Sequence, residues 1–234
     1  MSGLPADFRD GARDVAPVVG IVLPYGLVVG ATAVAAGFST GQAVVFSGLS
    51  TPTLSADAAE TTQALLRASN GKGATTAIDL DYTPGLASPE SYRAVFEDLS
   101  THTDVVFANE DDVRKVLGFT GGARELANVV VTEYDLDIVV ITQSEHGAIA
   151  MHDSPGTNLI HEREAVDSPP VDRTGQHGAF IGAFLSELVR ESEVSRALTR
   201  AVAAAGLAQS MDGPFLTTTA GELEAVAELV DDRV

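Results

Sequence analysis

Short apolar runs and longer amphipathic stretches alternate along most of this chain, and that alternation sets the first structural expectation. Ala43–Ser47 (A-V-V-F-S), Thr75–Leu80, Asp104–Ala108 (D-V-V-F-A) and Asp137–Thr142 (D-I-V-V-I-T) are brief runs of the kind that fill buried strands. Helical spacing predicts helices over Ser55–Ala68, Pro89–Leu99, Glu110–Leu117 and Ala123–Tyr134. In the first of these Ala58, Leu65 and Leu66 can share one side, and Gly71 and Gly73 mark the turn that follows. Ser88 and Pro89 suit an N-cap and a first helical position, and Gly118 stops the third helix. Gly147–Met151 reads as a hairpin partner of the strand before it; Gly178–Val189, Glu193–Met211 and Thr219–Leu229 read as closing helices. Strands followed by helices imply an α/β class with a mostly parallel sheet covered on both faces. Residues 1–42 show no clean strand–helix period, and no internal repeat or low-complexity linker occurs.

Ligands of such sheets bind beyond the carboxyl ends of the strands, so polar residues just after each strand are the candidates. Asp79 and Asp81, spaced i, i+2, can bind a cation or position a hydroxyl; the alternative is a solvated turn before Pro84 and Gly85. Charged pairs rarely end a buried strand idly, which favours function. An EF-hand is excluded because Pro84 stands where that loop needs Gly. Asn109 can cap the helix behind it, with Glu110, Asp111 and Asp112 in the first turn, and Asp112 can also face a phosphate through Mg²⁺. Thr142, Ser144 and Gly147 can hold phosphate or ribose, although Gly147 is equally a hairpin residue. Finally, Asp172–Phe184 (D-R-T-G-Q-H-G-A-F-I-G-A-F) places Gly175, Gln176, His177 and Gly178 ahead of an amphipathic helix carrying Phe180 and Phe184. Such a mouth offers backbone N–H groups to an anion; the small residues Ala179, Gly182 and Ala183 allow close approach of a ligand or a neighbouring helix.

Composition narrows the field. The net charge is −19, from 33 acidic and 14 basic residues, and only Lys72 and Lys115 are lysines. A field of that sign repels nucleic acid and anionic membranes. Spread acidity, scarce lysine and no cysteine resemble proteins of salt-loving cytoplasms, where salt screens self-repulsion. The absence of cysteine excludes disulfides and thiolate metal sites. Ile21–Gly37 is apolar, but Pro24, Gly26 and Gly30 interrupt it, and the preceding Asp7, Asp10 and Asp14 do not suit a signal peptide; the expectation is a soluble cytoplasmic protein. His102, His146, His152 and His161 lack metal-ligand spacing and are expected at the surface. Walker A, G-x-G-x-x-G and G-x-S-x-G sequences are all absent.

In their order the four clusters resemble the PfkB/ribokinase family of carbohydrate kinases. Members carry D-x-N-x-R, then N-x-x-E, then T-x-G-x-x-G, then D-T-x-G-A-G-D-A-F before a helix. This chain has Asp79-Leu80-Asp81-Tyr82-Thr83, Asn109 to Asp112, Thr142 to Gly147, and Asp172 to Phe180, with matching spacing. The alanine-rich Ala201–Leu207 is similar to the family's adenine-side helix, and Pro24–Thr40 to its P-x-G…G-V-x-T segment. The resemblance implies a ribokinase-like three-layer α/β/α sandwich over 43–234, a remnant of the N-terminal region over 1–42, and loss of both the first strand and the β-sheet lid, because Thr40 leads almost directly to Ala43. It implies ATP and Mg²⁺ as cofactors, with Asn109, Asp112, Thr142, Ser144, Gly147 and Gly175 on the nucleotide side, an indirect Mg²⁺ contact for Asp112, and a small sugar near Asp79 and Asp81. Without a lid the oligomeric state is undetermined.

The same resemblance puts the anion turn at Gly175, Gln176 and His177 and the family's proton-accepting aspartate at Gly178, which cannot accept a proton. Thr83 stands for an Arg, Asp81 for an Asn, Asp112 for a Glu and Ser144 for a Gly. Loss of general-base help costs ~10²–10⁴ in rate. His177 is the one neighbouring candidate to substitute. Three readings follow: a slow sugar kinase; a non-catalytic ATP-binding remnant, or a gene remnant without a role; and a haloacid-dehalogenase-type phosphatase using Asp79 and Asp81, with Thr142 and Asp231-Asp232 as later motifs. The last lacks the lysine that family needs between Thr142 and Asp231.

Overall fold

The computed structural model describes residues 43–47, 56–71, 73–154 and 157–232. The expectations for residues 1–42, including the Pro24–Thr40 segment, lie outside the described residues, as does Lys72. Each apolar run becomes a strand: β1 (Ala43–Ser47), β2 (Thr75–Asp79), β3 (Val105–Asn109) and β4 (Ile138–Thr142). They lie side by side in chain order and are all parallel. Parallel pairing requires a crossover between neighbours, supplied by α1 (Ala56–Asn70), α2 (Pro89–Ser100) and α4 (Ala123–Glu133). Between β3 and α4, a single helical turn, α3 (Glu110–Asp112), continues as a π turn over Val113–Leu117 and stops at Gly118, whose φ of 77° is left-handed.

β5 (Ala148–Ser154) returns antiparallel to β4, and β6 (Thr157–Arg163) antiparallel to β5. Among the described residues all six strands form one sheet, in the order β1 to β6, with no separate lid sheet. The sixth strand is absent from the sequence-based expectation: its residues are half-exposed, so no buried apolar run marks it. Gly147 belongs to the hairpin. Its φ is 103°, and a Cβ there would collide with the backbone at Arg163 to Ala165.

Two apolar layers sandwich the sheet. One holds Leu66, Tyr92, Phe96, Val116, Leu126 and Val130 from α1, α2, the π turn and α4 against Ile78, Val106, Val139 and Ile141. The other holds α5 (Gln176–Leu188), α6 (Val194–Gln209) and α7 (Ala220–Asp231) against Ala77, Phe107, Val140 and Ala150. The ribokinase-like α/β/α sandwich is thus present. On α1, Leu66 is buried but its neighbour Leu65 is exposed, because consecutive helical positions diverge by about 100°. The expected surface position holds for His146 alone; His102 is half-buried, with Nε2 accepting from Arg67 Nε at 3.1 Å. His152 and His161 are half-buried, their rings 5.3 Å apart, and His152 Nε2 is buried without a partner.

Two contacts fix α5, the element that matters most below. Phe180 and Phe184 meet Phe107 of β3 edge-on, with ring centroids 6.4 and 5.4 Å away. At the other end, buried Glu187 accepts from Ser192 Oγ at 2.8 Å and pairs with Arg190, Arg196 and Arg200 at 3.3, 3.2 and 3.0 Å. Arg196 and Arg200 in turn hold Glu224 of α7. At Gly206 of α6 a Cβ would strike Val166 of the segment after β6, whereas Gly182 has no atom within 4 Å of a Cβ position.

Phe184→Ala should lower unfolding stability by about 3–5 kcal/mol, the usual cost of truncating a fully buried Phe, as read from urea titration; a loss below about 1 kcal/mol would mean that α5 is not anchored through Phe107. The unfolding midpoint of the wild-type chain should rise with KCl concentration, because screening relieves the repulsion among 33 acidic residues; a flat or falling midpoint would contradict this.

Candidate active site

Parallel pairing brings the carboxyl ends of β2, β3 and β4 to one edge of the sheet. Asp79 ends β2 level with Phe107, while Asn109 and Thr142 lie level with each other at the ends of β3 and β4. Asp79 is only 4% exposed. Asn109 caps α3: its Oδ1 accepts from the Asp112 amide at 2.8 Å, and its Nδ2 donates to Asp112 Oδ2 at 2.7 Å. The same Asp112 oxygen accepts from the Tyr82 amide at 2.9 Å, so this buried carboxylate ties the loop after β2 to the end of β3. Tyr82 then rests edge-on against Tyr92, 4.9 Å between centroids.

Thr142 Oγ1 makes a long contact of 3.4 Å with the Ala108 carbonyl. Beyond it Gln143 donates to Glu110 Oε1 at 3.0 Å, and Ser144, exposed and at φ 51°, opens a short 3₁₀ turn. Among the described residues no side-chain hydrogen bond joins Ser144 or Gly147 to another candidate; the turn pairs with the α5 loop through the exposed Glu145 and Arg173 at 3.4 Å.

The turn before α5 is built by Asp172. Its Oδ1 accepts from the Thr174 amide and hydroxyl at 2.8 and 2.6 Å, and its Oδ2 from the Gly213 amide at 3.2 Å. Gly175 is the N-cap and is buried; a Cβ there would come within 2.5 Å of the Pro214 carbonyl oxygen. Gln176 donates to Gln209, which also donates to Ser168, so the end of α6 braces the mouth of α5. The amides of Gly175, His177 and Gly178 have no acceptor among the described residues. Together with the helix dipole they form an anion-binding mouth. The helix starts two residues earlier than periodicity suggests, so His177 and Gly178 lie in its first turn. Gly178 is exposed, with no atom within 4 Å of where a Cβ would stand.

His177 reaches across to β2. Its Nε2 lies 2.8 Å from Asp79 Oδ2, while Asp79 Oδ1 is buried without a partner. Burial alone would lower the imidazole pKa; the hydrogen bond to Asp79 and the charges of Asp79, Asp81 and Asp112 outweigh it and hold the value above the ordinary one. Burial, followed by repulsion from Asp79, raises Asp81, and burial raises Asp112. Among the described residues no group of three or more His, Asp or Glu side chains is disposed to hold a metal.

With this geometry in view, the comparisons are specific. A family model described as pfkB family carbohydrate kinase matches residues 30–215, which include every candidate from Asp79 to Gly178. The chain belongs to the pfkB family. A 2-dehydro-3-deoxygalactonokinase of Haloferax volcanii is 39% identical over 176 residues, which are 75% of this chain and 54% of that protein. The 2-dehydro-3-deoxygluconokinase of Thermotoga maritima superposes with a TM-score of 0.67 at 26% identity, over 80% of this chain and 60% of that one. A ribokinase II structure from E. coli, in complex with ATP and Mg²⁺, has a TM-score of 0.67 at 20% identity, over 80% of this chain and 59% of that one, a likeness of fold. This pfkB chain therefore spans little more than half the length of these relatives. Among its described residues no helix is long and apolar enough to cross a membrane.

Asp172, Gln209, Tyr82 and His177's bond to Asp79 complete the site. Only Asp172 carried a motif signal; the others depend on side chains brought together by folding. Because the folded pKa of His177 is raised, its pairing with Asp79 stabilises the fold fully below about pH 6.5, the unfolded value, and the benefit fades as pH rises through the folded value. His177→Ala should therefore cost more stability near pH 6 than near pH 9 in parallel denaturant titrations. Equal costs at both would show that the pair carries no charge.

Proposed function

We propose that this chain is the phosphoryl-transfer core of a kinase that moves the terminal phosphate of ATP to a hydroxyl of a small sugar acid of the 2-keto-3-deoxy class, at a rate impaired by the glycine at 178. The observation that carries this reading is the first turn of α5: three amides without acceptors among the described residues, at the carboxyl edge of a parallel sheet. Phosphoryl transfer is mainly positioning and charge stabilisation, and aligned amides supply both. Nucleotide phosphates fit this mouth, since Gly175 is packed to admit no side chain and Gly178 leaves open space. Mg²⁺ fits only as an ion carried on those phosphates, where it would offset their charge. Asp112 already gives one oxygen to Tyr82 and Asn109, which leaves the other for an indirect contact.

The acceptor class follows the names of the two kinase relatives. Thr83, in place of an arginine, gives the acid no cation, so a high KM is expected. A second reading, a nucleotide-binding protein without transfer, rests on Gly178. The phosphatase reading gains no observation, because Asp231 is held by Thr199 Oγ1 at 2.7 Å and by Arg163 at 3.2 Å, while Asp79 is held by His177.

Calorimetry in high salt should detect ATP binding, and coupled assays with 2-dehydro-3-deoxygalactonate and 2-dehydro-3-deoxygluconate should detect slow ADP release. Gly178→Asp should raise kcat, with ~10²–10⁴, the usual value of a positioned general base, as the upper bound. Absence of ATP binding would refute the kinase reading; binding with no transfer in either protein would support the second.

A further inference from the structure

We propose that Asp79 and His177 form a working carboxylate–histidine dyad, with His177 as the general base of the transfer and Asp79 as the residue that orients it. The inference rests on the kinase reading above and gives Asp79 a different task from the substrate contact expected of it. Its basis is geometric. His177 Nε2 is 2.8 Å from Asp79 Oδ2, and the carboxylate is sealed at the end of β2. A neutral imidazole in this position carries its proton on Nε2 and donates it to Asp79, which leaves the Nδ1 lone pair free. The His177 side chain is 46% exposed, so the ring keeps a solvent-facing side. Beside it, Gly178 leaves open space through which an acceptor can approach both the ring and the amides of α5.

A pair that served only to satisfy Asp79 would leave no buried oxygen bare. Asp79 Oδ1 is buried and unpartnered, which provides for a second donor such as a water or a further, non-reacting hydroxyl of the acceptor. In the step itself, His177 Nδ1 takes the proton of the acceptor hydroxyl as that oxygen bonds to the terminal phosphorus of a nucleoside triphosphate. The bond from phosphorus to the bridging oxygen breaks, the nucleoside diphosphate leaves, and the imidazolium later returns its proton to water. Asp79 from β2, Asp81 from the loop behind it and Asp112 from α3 place negative charge near the ring and stabilise the imidazolium. Among the described residues, the groups acting most strongly on the ring include no lysine or arginine, and the first turn of α5 carries no acid.

The test uses the full chain with ATP, Mg²⁺ and the two sugar acids named above, assayed across pH in high salt. His177→Gln keeps an Nε2 donor toward Asp79 but has no base; it should lower kcat by about 10²-fold, with ATP affinity unchanged at the high-pH end, where the wild-type ring is neutral. In the wild type kcat should rise with pH to a plateau, and Asp79→Asn should lower the plateau and move the rise to lower pH, a shift that a merely structural pair would not produce. Gly178→Asp introduced into His177→Gln should restore turnover. Unchanged turnover in His177→Gln, or a pH profile that Asp79→Asn does not move, would overturn the dyad and leave the kinase reading standing; ATP binding without any wild-type transfer would overturn the dyad and the transfer reading together. Failure to bind ATP would overturn the kinase reading itself.

Discussion

A carboxylate buried at the end of a parallel strand needs a partner, and Asp79 finds one 98 residues away, in His177. With strands on both sides of it, Asp79 is sealed from water, and an isolated charge there would be costly. The partner is delivered by α5, whose place is set by Phe180 and Phe184 against Phe107 on the adjoining strand. Ring packing on β3 thus decides where the first-turn amides and the imidazole stand. The brace from Gln209 to Gln176 and Ser168, and the seat of Gly175 on Pro214, hold the same turn from the other side.

The electrostatics of this edge are unusual for a site meant to receive phosphates. Three carboxylates act on one histidine, and the whole chain carries −19. Backbone amides, the helix dipole and the ion accompanying a nucleotide offset that field, and salt becomes part of the working conditions rather than a perturbation. A bound polyphosphate would raise the proton affinity of the imidazole further. Base strength and nucleotide occupancy are then coupled through simple Coulomb interaction. At its far end α5 meets the opposite arrangement, one buried Glu187 among arginines, which locks α5, α6 and α7 together.

Much of the fold could be read from sequence because strands buried on both faces appear as continuous apolar runs. Those predicted from Ala43, Thr75, Asp104 and Asp137 agree with β1 to β4 within a residue or so. β6 escaped because an edge strand with half-exposed residues has no such run, and the π turn at Val113–Leu117 escaped because its spacing resembles an ordinary helix. At the site, motif order located Asp79, Asn109, Thr142 and Gly178 on the correct strand ends and helix mouth. It could not reveal that Asp112 turns inward to hold Tyr82, or that His177 pairs with Asp79, since both depend on contacts between segments far apart in the chain. Gly147 and Gly175 carry backbone constraints, close approach to Arg163 and Pro214, that look the same in sequence as ligand contacts.

The central claim is that Asp79 holds His177 as a base with raised proton affinity at the mouth of α5. An NMR titration following the ring resonances of His177 tests it most directly. The expected result is a midpoint above the ordinary histidine value in the intact chain, a fall toward or below that value in Asp79→Asn, and a further rise when ATP is added. A His177 midpoint that is ordinary in both proteins and indifferent to ATP would contradict it.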